Sequence, residues 1–248
     1  MSDNIYSTPA SEEKKESPSN LTIISNLLTS PAQAYKDIQA SYSILFPISL
    51  FFVLMVVSTL LYMNSIDFEW FVEYQVEQAG ADLSNAEKDA MRANLTMMSP
   101  MIQGVIGSVF AVIGYAILFA LYSAYYVINS NISNDGYDFK QWFSFLTWSW
   151  IPKCLLLVMT IVIILLSDNG QITQDSLNPI SLNALFFNLS PGTGMGSLLS
   201  NIDLVTFWSW AIMAIGYQTW TKCSTAKAWI ITLLPYVVVY SVWAAIAA

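Results

Sequence analysis

The chain has 248 residues, of which 55% are hydrophobic and only 10% charged, with a formal net charge of −8. A soluble domain of that composition would not stay dispersed in water, and the acidic balance argues against nucleic acid as a partner. With no histidine, and with Cys154 and Cys223 in no paired spacing, the sequence lacks the commonest general base and zinc ligand and carries no disulfide pattern.

The first 20 residues are polar, with Glu12, Glu13, Lys14, Lys15 and Glu16 and no apolar core close behind them. A disordered tail over 1–20 is expected, not a cleavable signal. A short amphipathic stretch follows from Leu21 to Leu28. Ser30-Pro31 then opens a second helix through Ala32, Tyr35, Ile38 and Ala40, proline being tolerated at the first helical position. Residues 21–43 are expected to be cytoplasmic interfacial helices ahead of a membrane domain over 44–248.

Five apolar runs fill that domain, at about 44–63, 101–128, 142–166, 203–221 and 228–247. A hydrocarbon core of about 30 Å takes roughly 20 residues of helix, and a backbone in lipid must satisfy its own donors and acceptors. The expected fold is an all-α integral membrane protein: a five-span transmembrane helical bundle with an external helical hairpin. The hairpin lies between the first two runs, where Asp67 to Ala79 reads as a helix with Phe68, Phe71, Val72 and Val76 on one face and Gly80 as its stop. Ser84-Asn85-Ala86-Glu87 is a capping box that opens the second arm.

Orientation follows from the basic residues in alternate segments. Lys14, Lys15, Lys36, Lys140, Lys222 and Lys227 fall on one side, against Lys88 and Arg92 on the other. This places the N-terminus in the cytoplasm, the acidic hairpin outside and, after five spans, Ala248 outside, in a cell (inner) membrane.

In the second run, Gly104, Gly107, Ala111 and Gly114 form a stripe of small residues that marks a helix-packing face, within one chain or between two. Trp142, Trp148 and Trp150 at the start of the third run, and Trp220 and Trp229 around the last short loop, are read as anchors at the headgroup level and not as a ligand cage. Lys153 is the one charge well inside a run, eleven residues beyond Trp142, or about 16 Å along a helix. It is a candidate proton relay, anion site or headgroup contact. Snorkelling to lipid phosphate is the favoured reading, because Pro152 can start the true span and no intramembrane carboxylate stands out as a partner.

Residues 176–202 carry no charge but are broken by Asn178-Pro179 and by the glycine-rich run Ser190-Pro191-Gly192-Thr193-Gly194-Met195-Gly196. That run lacks the lysine followed by serine or threonine that closes a phosphate-binding loop. Residues 184–202 read as a membrane-surface or re-entrant segment, and as the place to look for a cavity.

Ile202-Asp203-Leu204-Val205-Thr206-Phe207-Trp208, then Ala214-Ile215-Gly216 and Lys222 to Ala228, resembles the signature half of the Ypt-interacting protein (Yip) family. Ser30 to Ile38 resembles the pre-membrane helix of its bacterial members. The resemblance covers residues 30–248 and adds Asp203, Trp208 and Gly216 to Lys153 as candidate functional residues. It implies five spans and a cytoplasmic N-terminus. Eukaryotic relatives act in vesicle traffic through Rab-type GTPases and by associating with one another, but this chain lacks their aspartate-leucine-tyrosine motif. Three classes stay open: a non-enzymatic membrane protein that organises or recruits partners, a small transporter or channel using Lys153, Gln218 and the broken loop, and an intramembrane enzyme. Expected partners are membrane lipids, with other membrane proteins or a second copy as further ones, and no cofactor is expected.

Overall fold

The computed structural model describes residues 18–79, 83–190 and 192–247, and over these the chain is helical, with no strand longer than an isolated bridge. The tail expected over 1–17 and the helix stop expected at Gly80 lie outside the described residues. In chain order the elements are α1 (Asn20–Thr29), α2 (Pro31–Ser41), α3 (Leu45–Ser65), α4 (Phe68–Gln78), α5 (Asn85–Thr96), α6 (Pro100–Ser133), α7 (Phe139–Ser149), α8 (Ile151–Leu165), α9 (Gly194–Ser200), α10 (Leu204–Thr221) and α11 (Thr225–Ala247).

Among the described residues four helical stretches are long and apolar enough to cross a membrane: α3, α6, α7 with α8, and α11. Phe110 and Leu121 on α6 and Ile230 and Val242 on α11 are more than half exposed, as lipid-facing side chains must be. α10, the fourth of the five expected runs, is not one of the four. Its tryptophans, threonines, Tyr217 and Gln218 dilute its apolarity, and it lies at the centre of the bundle against α2, α7, α8 and α11. A helix enclosed by protein can carry such residues because its neighbours supply their partners.

α1 and α2 are drawn into the bundle as well as lying on it. Ala34, Tyr35 and Ile38 are fully buried, and α2 packs along α10. Tyr35 explains why: its ring lies on Gly216, where an added Cβ would collide with the ring atoms. Its hydroxyl bonds Ser149 Oγ at 2.6 Å, and Ser149 Oγ in turn donates to the Phe145 carbonyl, also at 2.6 Å. The Trp220 indole donates to the Tyr35 carbonyl at 2.8 Å.

The tryptophans correct an expectation. Trp142 and Trp148 are completely buried and Trp220 nearly so, while Trp229 is 38% exposed. Trp142 stacks between Tyr126 and Tyr217 at centroid distances of 5.0 and 5.5 Å. The indole N–H of Trp148 goes to the Ser43 carbonyl at 2.9 Å. Backbone carbonyls, not headgroup water, therefore satisfy Trp148 and Trp220, and these rings join helices instead of floating the protein at an interface.

The hairpin forms as the sequence implies. Asp67 caps α4, and the reciprocal Ser84–Glu87 box opens α5. Phe71, Val72 and Val76 are buried, and Phe71 packs with Tyr62, Ile164 and Ile172. Arg92 grips Glu73 through Nε and Nη2 at 2.8 and 2.9 Å and holds its carboxyl below the usual range. Gly170, at φ +67°, docks the segment after α8 on the α3–α4 corner, accepting from the Asp67 N–H at 2.9 Å.

The small-residue stripe divides. Gly104 faces Met63 and Leu60 of α3, with 3.0 Å left for a Cβ, whereas Gly107 and Gly114 are exposed and have nothing within 4 Å among the described residues. Close packing within the chain is thus confined to Gly104, with Ala111 half-buried. Gly216→Ala should push α2 off α10 and cost about 1–3 kcal/mol, as overpacking does. Gly107→Ala should leave the detergent melting temperature unchanged or slightly raised, since alanine favours helix by about 1 kcal/mol. Equal melting of the two variants would remove the role given to the Tyr35–Gly216 contact.

Candidate functional site

The polar centre of the bundle grows from a break in one helix and the start of another. Trp150 interrupts the third span between α7 and α8, Pro152 sits in the first turn of α8, and Lys153 follows it. Fifty residues later Asp203 is the N-cap of α10, in a reciprocal box with Thr206. Its Oδ1 accepts from the Thr206 N–H at 2.7 Å and the Thr206 hydroxyl at 3.0 Å. A carboxylate is favoured there because the unpaired N–H groups of a helix start carry partial positive charge.

Lys153 Nζ lies 3.0 and 2.8 Å from Asp203 Oδ1 and Oδ2 and 2.5 Å from Thr206 Oγ1. Its three protons therefore have three acceptors. The side chain of Asp203 is 2% exposed and that of Lys153 17%. This corrects the reading of Lys153 as a snorkelling residue without a carboxylate partner. The stem does not run out to the interface; it turns inward and neutralises the one carboxylate at the head of α10.

The broken segment after α8 forms the lid of this pair. Leu182 N–H donates to the Ile202 carbonyl at 2.7 Å, and Leu204 N–H to that of Ile180 at 3.2 Å, an isolated bridge that presses residues 180–182 against the start of α10. Asn178 Nδ2 reaches both Asp203 Oδ2 and the Ser200 carbonyl at 3.3 Å. Ser200 Oγ donates to Asp175 Oδ1 at 3.1 Å. The glycine-rich run itself becomes the loop into α9, and a π-helical turn occupies Asn183–Phe187.

Beside the pair lies a cavity of about 300 Å³, bounded by α3, α6, α8, α10, α11 and the lid. Phe51, Tyr115, Trp150, Trp210, Tyr236 and Tyr240 give it aromatic walls, and Lys153, Asp203, Thr206 and Asn178 form its polar end. Asn178 Oδ1 and Ser209 Oγ border it as buried atoms with no hydrogen-bond partner among the described residues. A cavity of this size with such acceptors is polar and roomy enough for a few waters or one small polar molecule.

Of the residues singled out from sequence, Lys153 and Asp203 are brought together. Gly216 lies farther along α10 beneath Tyr35, and Trp208 is half-buried against the aromatic core. Gln218 bonds Thr225 Oγ1 at 3.0 Å in the α10–α11 turn and takes no part in the polar centre. Among the described residues of 184–202, only Ser200 and Asn201 touch the cavity. Asn178, which the sequence shows only as a chain break, Thr206, which it shows only within the 202–208 motif, and Ser209 also join the centre. Thr206 was legible in principle, because Asp203-x-x-Thr206 has the spacing of a capping box.

The pair should be strongly coupled. Lys153→Met leaves a buried carboxylate and Asp203→Asn a buried ammonium, each costing about 3–5 kcal/mol, whereas removing both leaves neither. Asparagine also keeps the cap. The Lys153→Met/Asp203→Asn double variant should therefore denature in detergent closer to the parent than either single variant does. Strictly additive losses would show that the two charges do not depend on each other.

Comparison with protein families finds the Yip1 domain over residues 25–246. No curated protein and no solved structure matches the chain. The matched stretch runs from α1 to α11 and contains both halves of the ion pair, the lid and the Tyr35–Gly216 contact, so the chain is a multi-pass membrane protein belonging to the Yip1 domain family.

Proposed function

We propose that this protein is a non-enzymatic organiser of the membrane, one that holds or recruits partner membrane proteins, or a second copy, through its lipid-facing helices. The observation that carries this reading is the self-sufficiency of the Lys153–Asp203 pair: every proton of the ammonium is used, and the carboxylate is shared among Lys153, Thr206 and Asn178. Groups so fully engaged serve a scaffold better than a pathway, which needs sites weak enough to be left. The sequence has no histidine, so the commonest general acid–base side chain is missing.

In this reading α10 completes five spans, the N-terminus is cytoplasmic in a cell (inner) membrane, and the α4–α5 hairpin and Ala248 lie outside, as the distribution of lysine and arginine favours. The second reading, a small-solute or ion transporter, is favoured by the cavity beside Lys153.

A photo-crosslinking residue at Phe110, which is 71% exposed on α6, should yield a discrete protein adduct in native membranes. Reconstituted liposomes should show no proton or small-ion flux. Crosslinking to lipid alone, together with a flux that Lys153→Met abolishes in a folded protein, would replace the organiser with the transporter. In the same cells a periplasm-active reporter fused after Ala248 should be active and one fused after Asn134 silent.

A further inference from the structure

α3 presents Phe51 and Met55 to the cavity beside Lys153, but Leu45, Leu50 and Val53 to a second concavity, an open groove of about 800 Å³. Below its polar end the groove is lined by apolar side chains, with Ser49 the one hydroxyl among them. Leu45 and Val53 are 79% and 59% exposed, and the polar rim holds Tyr42, Ser43 and Lys140.

The level of that rim follows from the helices that start there. Leu45 begins one membrane-crossing stretch and Phe139 another, so Ser43 and Lys140 stand where hydrocarbon gives way to headgroups. Val53 lies eight residues deeper in α3, or about 12 Å at 1.5 Å per residue. An occupant must therefore be amphipathic, with its polar part at Lys140 and its apolar part reaching Val53.

Three features set the charge of the polar part. Lys140 is exposed and makes no ion pair among the described residues; the neighbouring Asp138 carboxylate is occupied as the cap of α7, accepting from Gln141 N–H at 2.8 Å. Ser43 is held in place because its carbonyl accepts from both Ser144 Oγ and Trp148 Nε1 at 2.9 Å, yet its own hydroxyl is buried without a partner. α3 begins at Leu45 with Ile44 as an N-cap that makes no side-chain bond, so the N–H groups of Leu45 and Phe46, which line the groove, have no side-chain acceptor, while Pro47 has no N–H to satisfy. A cation, an unused hydroxyl and a helix start are complementary to a phosphodiester.

We infer that this groove binds an anionic glycerophospholipid of the surrounding bilayer, its phosphate at Lys140 and Ser43 and one acyl chain along Leu45, Leu50 and Val53. The lipid would mortar the α2–α3 linker to the start of α7, the junction through which the amphipathic N-terminal helices meet the spans. The inference does not depend on the organiser reading, since either a scaffold or a transporter can carry such a lipid.

The test is native mass spectrometry of the full chain released from detergent micelles and titrated with phosphatidylglycerol, with phosphatidylcholine of the same chains, or with glycerol 3-phosphate. The parent should retain one phosphatidylglycerol in preference to phosphatidylcholine. Lys140→Gln should weaken retention about fivefold, as loss of one lysine at a charged surface does. Leu50→Trp, which fills the groove, should weaken it further, and Lys36→Gln, on exposed α2 surface, should leave it unchanged. Equal retention of both lipids, or equal losses for Lys140→Gln and Lys36→Gln, would overturn the site, as would displacement of the lipid by glycerol 3-phosphate at equal concentration.

Discussion

A bilayer interior gives an unpaired charge nowhere to go, and the centre of this protein is arranged around that constraint. Lys153 and Asp203 are each intolerable alone at such burial and acceptable together. Their union joins α8 to the head of α10 and, through Asn178 and the bridge at residues 180–182, fastens the polar segment between them. The helix start supplies the rest: a carboxylate that caps α10 is already stabilised by backbone N–H groups before the ammonium arrives. One ionic contact thus ties the break in the third span to the head of α10 and to the segment between them.

From the pair toward the opposite end of α10 the same problem is solved with aromatic rings instead of charges. Tyr35, Trp142, Trp148, Tyr217 and Trp220 each combine a large apolar face with one polar atom. Tyr35, Trp148 and Trp220 place that atom on a neighbouring helix or linker. Helices in lipid gain nothing from excluding water from one another, so close fit and buried hydrogen bonds carry the assembly. The glycine at 216 matters for that reason: it lets a tyrosine ring lie flat on α10 and brings α2 from the surface into the core.

What faces outward differs from what is held inward. α6 and α11 expose long apolar faces, and Gly107 and Gly114 leave a smooth strip on α6 that nothing within the described chain fills. The organising function proposed above places its contacts on such faces, while the polar centre keeps the scaffold in one arrangement. The groove along α3 adds a third kind of surface, apolar in depth and basic at the rim, suited to the bilayer's own anionic lipids.

Much of this architecture was written in local pattern. Apolar runs of span length, the capping boxes at Ser84 and Asp203, the period of Phe71, Val72 and Val76, and the motifs around Asp203 and Gly216 required only neighbours in the chain, and helices are made of such neighbours. Tertiary structure alone decided the rest. Lys153 meets a carboxylate fifty residues away, which no spacing announces. Trp148 and Trp220, which would suit an interface, are interior, where carbonyls of other segments accept from their N–H groups. Whether a small residue marks a contact depends on what stands opposite it, so Gly104 packs on Met63 while Gly107, three residues on, meets nothing. Sequence by itself determined that these segments must be helices in lipid; only the folded chain decided which polar groups would answer one another, because that depends on distances between segments and not on order within them.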